Sequence, residues 1–153
     1  MTDDNTIYAL KNRPLTSDHD LTRLVTALLE QAYVSRVWLM LLDDDLRSTD
    51  VIIPIDDLPT DPMAATAMPV DGPVAACDGL GVRVAQIVDQ TPASAVVVIW
   101  ERPGAAGADP DTLAWIDGMR RAFAKQPDGL RAQLVLTDDG AHMIGEPAQR
   151  YVA

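Results

Sequence analysis

The stretch that most constrains this chain is Ala95-Val96-Val97-Val98-Ile99-Trp100, an unbroken apolar run rich in β-branched residues. A strand apolar on both faces needs cover on both sides, so it belongs inside a sheet with helices above and below. The run ends in the turn Glu101-Arg102-Pro103-Gly104-Ala105-Ala106-Gly107-Ala108. A helix start follows, with Asp109 placed as N-cap and Pro110 at the first helical position. In an α/β domain the carboxyl end of such a strand is where a site is expected. The candidate ligand or partner residues are therefore Trp100, Glu101, Arg102, Asp109 and Asp111.

The other elements read outward from this one. Residues 1–15 are expected to be an arm, partly disordered or draped on the domain. Ser17-Asp18-His19-Asp20 has the form of a capping box. Leu21, Leu24, Val25, Leu28, Leu29 and Ala32 then recur at helical spacing, which predicts an amphipathic helix over 18–34. Val37 to Leu42 reads as a second interior strand and Val51 to Ile55 as its hairpin partner, with Pro54 restricting that strand to an edge. Residues 56–73 are rich in Pro and Asp and read as a long connecting loop, with Met63 and Met68 free to pack down or touch a partner.

A helix is predicted within 74–90, although Gly79 and Gly81 weaken its first half. Leu113, Ile116, Met119 and Phe123, broadened by Trp115 and Ala122, form the stripe of the helix after Asp109. Lys125 suits its last turn, and Pro127-Asp128-Gly129 ends it. Leu130 to Thr137 alternates, with Ala132, Leu134 and Leu136 on one face and Arg131, Gln133 and Thr137 on the other, as a half-buried strand does. Asp138-Asp139-Gly140 is a hairpin signal, a short strand returns over 141–145, and 147–153 reads as a tail. The expected fold is α/β (α+β): one domain over 16–146, one mixed sheet flanked by helices, in the order α-β-β-α-β-α-β-β.

At 153 residues the chain is long enough for one domain with a real core. Its net charge of −11 repels phosphate backbones. Arg120-Arg121 is the one adjacent basic pair, so nucleic acid is not an expected partner. No apolar run approaches a membrane span, and no basic n-region precedes an apolar segment. The single cysteine, Cys77, excludes an internal disulfide framework. Together these point to a cytoplasmic protein.

Specific chemistry is hard to place. Gly104 and Gly107 lack the Gly-Lys-Ser/Thr of a phosphate loop. His19 and His142 have no metal spacing. Spacing alone leaves a pairing of Cys77 with a histidine open, but Cys77 precedes Asp78-Gly79 without a nucleophile motif and reads as a packed or exposed thiol. In Asp43-Asp44-Asp45, Leu46 and Arg47 break the calcium-loop pattern, which leaves a solvated hairpin turn. Asp56-Asp57 and Asp138-Asp139 read the same way. No metal ligand set and no cofactor are expected.

The element order and the turn at 101–103 resemble the RadC branch of the JAB/MPN fold, the family that includes zinc-dependent deubiquitinases. The apolar run from Trp38, ending in Leu42-Asp43 with Arg47 after it, resembles that family's first strand and turn. Ala95 to Pro103 resembles the strand leading into its His-x-His-Pro turn, and Leu130 to Gly145 its closing strand pair. The chain is also similar to actinobacterial proteins of unassigned function with the same Trp-Glu-Arg-Pro-Gly turn. The resemblance implies the scaffold and not the activity. Trp100 and Arg102 stand where the family has its two metal-binding histidines, and the family's downstream Ser and metal-binding Asp fall near Pro110 or Asp111 and near Leu113 or Ala114. An indole only donates, and a guanidinium has no lone pair to give.

Three functions follow as expectations. The first is a non-enzymatic domain for protein–protein contact or regulation. The second is a hydrolase-like enzyme with an atypical site at 100–111, with Glu101 as acid/base and Arg102 as anion clamp. The third is a structural homo-oligomer joined through an edge strand or an apolar helix face.

Overall fold

The computed structural model describes residues 4–56, 58–68, 72–104, 109–124 and 129–144. The chain runs through α1 (Asp4–Lys11), α2 (Asp18–Leu29), β1 (Arg36–Leu42), β2 (Ser48–Ile55), β3 (Ala65–Met68) and β4 (Gly72–Ala75). It continues through α3 (Ala76–Asp89), β5 (Ala95–Glu101), α4 (Pro110–Ala122), β6 (Leu130–Thr137) and β7 (Gly140–Met143). The main sheet has five strands in the order β2-β1-β5-β6-β7. The predicted mixed sheet and α/β class are present: β5 runs antiparallel to β1 and parallel to β6.

Strand β5 is central and every residue of it is buried. Alternation sends its side chains into two separate cores. Val96, Val98 and Trp100 pack with Val37, Leu39 and Val135 under α3 and α4, where Val84, Trp115, Ile116 and Met119 cover them. Val97 and Ile99 pack with Met40, Leu42, Leu134 and Leu136 under α1 and α2, where Leu10, Leu21, Leu24 and Val25 cover them. Pro54 does lie on the edge strand β2, opposite Trp38.

Several expectations are corrected. Within the arm expected over 1–15, as partly disordered or draped on the domain, the described residues form α1, and Leu10 and Leu15 are fully buried against the α2 layer. The helix predicted over 18–34 stops at Leu29, where Glu30 turns to φ 66° and donates its amide to the Thr26 carbonyl. Ala32 keeps its place in the core, but its amide goes to the Thr137 carbonyl at 3.0 Å. The stretch 56–73, expected as a loop, holds β3 and the start of β4, a hairpin that runs on to Ala75. The first part of the stretch is tied down by the Trp115 indole, which donates to the Pro59 and Thr60 carbonyls at 3.0 and 3.1 Å. Met63 stays 59% exposed. Met68's side chain, Lys125, Pro127, Asp128 and the tail 147–153 lie outside the described residues.

Strand β6 is not half-buried. Gln133 and Thr137 are buried on the face expected to be polar, because α4 lies over it. In α4, Leu113 is partly exposed while Trp115, Ile116, Met119 and Phe123 carry the buried stripe. The glycines that weaken the helix prediction at 74–90 have a packing reason. A β-carbon on Gly81 would meet Ala122 Cβ at 3.0 Å, so α3 approaches α4 too closely there for a larger side chain to enter without displacement.

Candidate functional site

The strand parity that builds two cores also divides the candidate residues. Glu101 is odd, like Ile99, and turns toward the α2 face. Trp100 and Arg102 are even and turn toward α4. Glu101 is 2% exposed, and its carboxylate is filled by donors from one nearby stretch. Oε2 accepts the backbone amides of Tyr33 at 2.6 Å and Val34 at 3.1 Å. Oε1 accepts Arg36 Nε and the Trp38 indole, both at 2.8 Å. Burial pushes the Glu101 pKa up, but the Tyr33 amide, the Trp38 indole, the Val34 amide and the Arg36 charge outweigh it and leave the carboxyl below its ordinary value. Helix α2 ends early for the same reason: the chain must leave helical geometry for the amides of Tyr33 and Val34 to face this carboxylate.

On the other face, Arg102 bridges three segments. Its Nε donates to the Thr112 hydroxyl at 2.9 Å, and its Nη1 donates to the Glu101 and Arg36 carbonyls at 2.8 and 3.1 Å. The guanidinium lies 5.5 Å from the centroid of the Trp100 ring, a cation–π distance. Burial lowers its pKa, while Asp109 and Glu101 raise it; the guanidinium remains charged. The Arg102 amide donates to the Leu136 carbonyl at 2.8 Å. Gly104 and Asp138 exchange two further bonds between turns, through the Asp138 side chain and amide. At Gly104 the backbone takes φ 127°, a conformation glycine tolerates best.

Trp100 is fully buried. Its indole donates to Gln133 Oε1 at 2.9 Å, and Gln133 Nε2 donates to the Ile116 carbonyl at 2.9 Å. The Trp100 ring sits 5.5 Å from that of Trp115, tilted by 41°. The residues present do not fit the zinc ion that the family resemblance would bring. At the two histidine positions, one side chain is a buried donor already bonded to Gln133, and the other is a cation without a lone pair. Among the described residues, no group of three or more His, Cys, Asp or Glu side chains could hold a metal.

Beside Arg102 the surface opens into a cleft of about 200 Å³. Asp109, Asp111 and Thr112 from the start of α4 line one side, and Asp56, Leu58 and Pro59 after β2 line the other. Asp109 is the N-cap of α4, accepting the Thr112 amide at 2.7 Å. That bond, and then the Thr112 hydroxyl and Arg102 against a smaller opposing effect of burial, lower its pKa. Arg102, Asp109 and Asp111 thus meet at one cleft. Glu101 and Trp100 are absent from its lining.

Thr112, Gln133, Arg36, Trp38 and the Tyr33-Val34 amides hold the junction together and were not predicted to do so. Strand parity was a readable signal for Arg36 and Trp38, which share a face with Glu101 once β1 and β5 are aligned. The amides of Tyr33 and Val34 carried no such signal. The remaining candidates take structural places. His19 and His142 are exposed. Cys77 is buried against α4, where a β-carbon on Gly118 would approach Cys77 Cβ to 2.9 Å. Asp43 caps its own hairpin turn, accepting the amides of Asp45 and Arg47 at 2.9 and 3.0 Å. Among the described residues no helix is long and apolar enough to cross a membrane. No family model, curated protein or solved structure matches the chain.

Proposed function

We propose that this chain is a JAB/MPN-like domain that acts by binding, in protein–protein contact or regulation, and not by metal-dependent hydrolysis. One observation carries the reading: the side chains of Trp100, Glu101 and Arg102 are each engaged by internal partners that hold β5 to α4 and to the segment before β1. A junction that elsewhere would present ligands to solvent here serves as a buttress. Residence in the cytoplasm belongs to the same reading and is supported by a lone, buried thiol.

The test is reconstitution of the full chain with zinc, cobalt or manganese, with metal content measured after desalting and hydrolysis followed on isopeptide and peptide substrates. Neither stoichiometric metal nor turnover is expected. Stoichiometric metal that supports turnover would overturn the reading.

A second reading, an enzyme built on the cleft, is favoured by the convergence of Arg102, Asp109, Asp111 and Thr112. In that reading Glu101 is not the acid/base, since its oxygens already hold four donors and face the other core.

A further inference from the structure

The cleft has a polarity of its own. Its inner cation is Arg102, half-buried, with Nε and Nη1 committed to Thr112 and to two carbonyls. Nη2 makes no hydrogen bond among the described residues. A desolvated guanidinium with a spare donor favours an anionic oxygen. The exposed carboxylates of Asp56 and Asp111 line the cleft with no ion pair or side-chain hydrogen bond among the described residues, and Asp109, which caps α4, adds a third negative charge there. Between these charges the wall is mixed: Leu58, with the edges of Val37, Ile55 and Trp115, supplies its apolar part, beside the hydroxyl-bearing Ser35, Thr60 and Thr112.

We propose that the cleft binds a small zwitterion with an excess of positive charge, of the size and chemistry of a basic amino acid. Its carboxylate meets Arg102 Nη2, its methylene stem lies along Leu58 and Trp115, and its cationic groups meet Asp56, Asp109 and Asp111. A simple anion would be repelled by three carboxylates, and a simple cation would leave the spare donor of Arg102 without an acceptor. The inference is independent of whether the domain is catalytic, and metal reconstitution does not bear on it.

The experiment is titration of the full chain, observing the Trp115 indole resonance and the amides of Thr112 and Leu58. The probes are lysine, arginine and ornithine, with glutamate, propionate and putrescine as controls. Saturable shifts are expected from at least one basic amino acid, with glutamate and propionate weaker. Putrescine is also expected to bind more weakly, because it offers nothing to Arg102. Asp111→Asn, an exposed change outside the internal hydrogen bonds, is expected to weaken binding about fivefold, the scale of one rim charge. The proposal is overturned if no basic amino acid gives a saturable shift, if putrescine or propionate binds as well as lysine, or if Asp111→Asn leaves the affinity unchanged.

Discussion

The backbone amide of Tyr33 lies 2.6 Å from the carboxylate of Glu101, a residue 68 positions further along the chain. This contact, with those from Val34, Arg36 and Trp38, makes Glu101 a structural anchor. Replacing it with Gln puts an amide donor among groups that are themselves donors. Glu101→Gln is expected to destabilise the fold by about 3 kcal/mol, the scale of breaking a buried, charge-assisted cluster. Urea unfolding followed by tryptophan fluorescence measures it. Binding in the cleft should survive in the folded fraction, because Glu101 does not line the cleft; a selective loss of binding with unchanged stability would contradict the assignment.

Acid should unfold the protein partly through the same group. The folded-state pKa of Glu101 lies below its ordinary 4.5, and that of Asp109 below its ordinary 3.8. Both carboxylates therefore contribute stability that is present above those values. As the pH falls through them and on toward the folded pKa values, the unfolded chain binds protons that the folded chain refuses, and stability declines. Urea midpoints taken from neutral pH down to about pH 3 should fall, and the fall should be shallower in Glu101→Gln than in the native protein.

Gln133 links Trp100 to α4. Gln133→Ala removes the acceptor of a buried indole N–H and leaves a void where the side chain packed. The expected cost is about 3 kcal/mol. Gln133→Leu, which restores volume without the hydrogen bonds, should recover only part of it. Equal stability of the Leu variant and the native protein would show that the bonds contribute no net stability.

Gly118→Ala tests the approach of α4 to α3. The new methyl would fall 2.9 Å from Cys77 Cβ, and the neighbouring Sγ is at 3.1 Å. Overpacking should outweigh the gain in helix propensity and lower stability by about 1–3 kcal/mol. Pairing it with Cys77→Ala does not remove the clashing β-carbon, so only partial rescue is expected in thermal unfolding.

The sequence was most legible where one physical rule dominated. The apolar runs 37–42 and 95–100 could only be interior strands, and Asp109-Pro110 marked a helix start that Asp109 caps as predicted. It was least legible where a residue served something distant. Gln133 looked solvent-facing because the alternation of β6 suggests one wet face, and nothing local shows that Trp100 needs an acceptor. The early end of α2 was hidden in the same way, since its stripe continues to Ala32 and only Glu101 explains why the chain departs before it. Arg102, Asp109 and Asp111 converge as adjacency suggested, whereas grouping Glu101 with them ignored the alternation of a strand.

The placement of unlike residues at the end of β5 also guards its alignment. A shift of β5 by one residue against β1 would turn Glu101 into the core around Trp115, away from all four donors, and carry Arg102 toward Trp38 and the empty amides of Tyr33 and Val34. Each error buries a charge without its counterpart, a penalty no apolar strand could impose on its own slippage. The run of six apolar residues is nearly indifferent to its own pairing; the two charged residues that follow it supply the distinction between one alignment and the next.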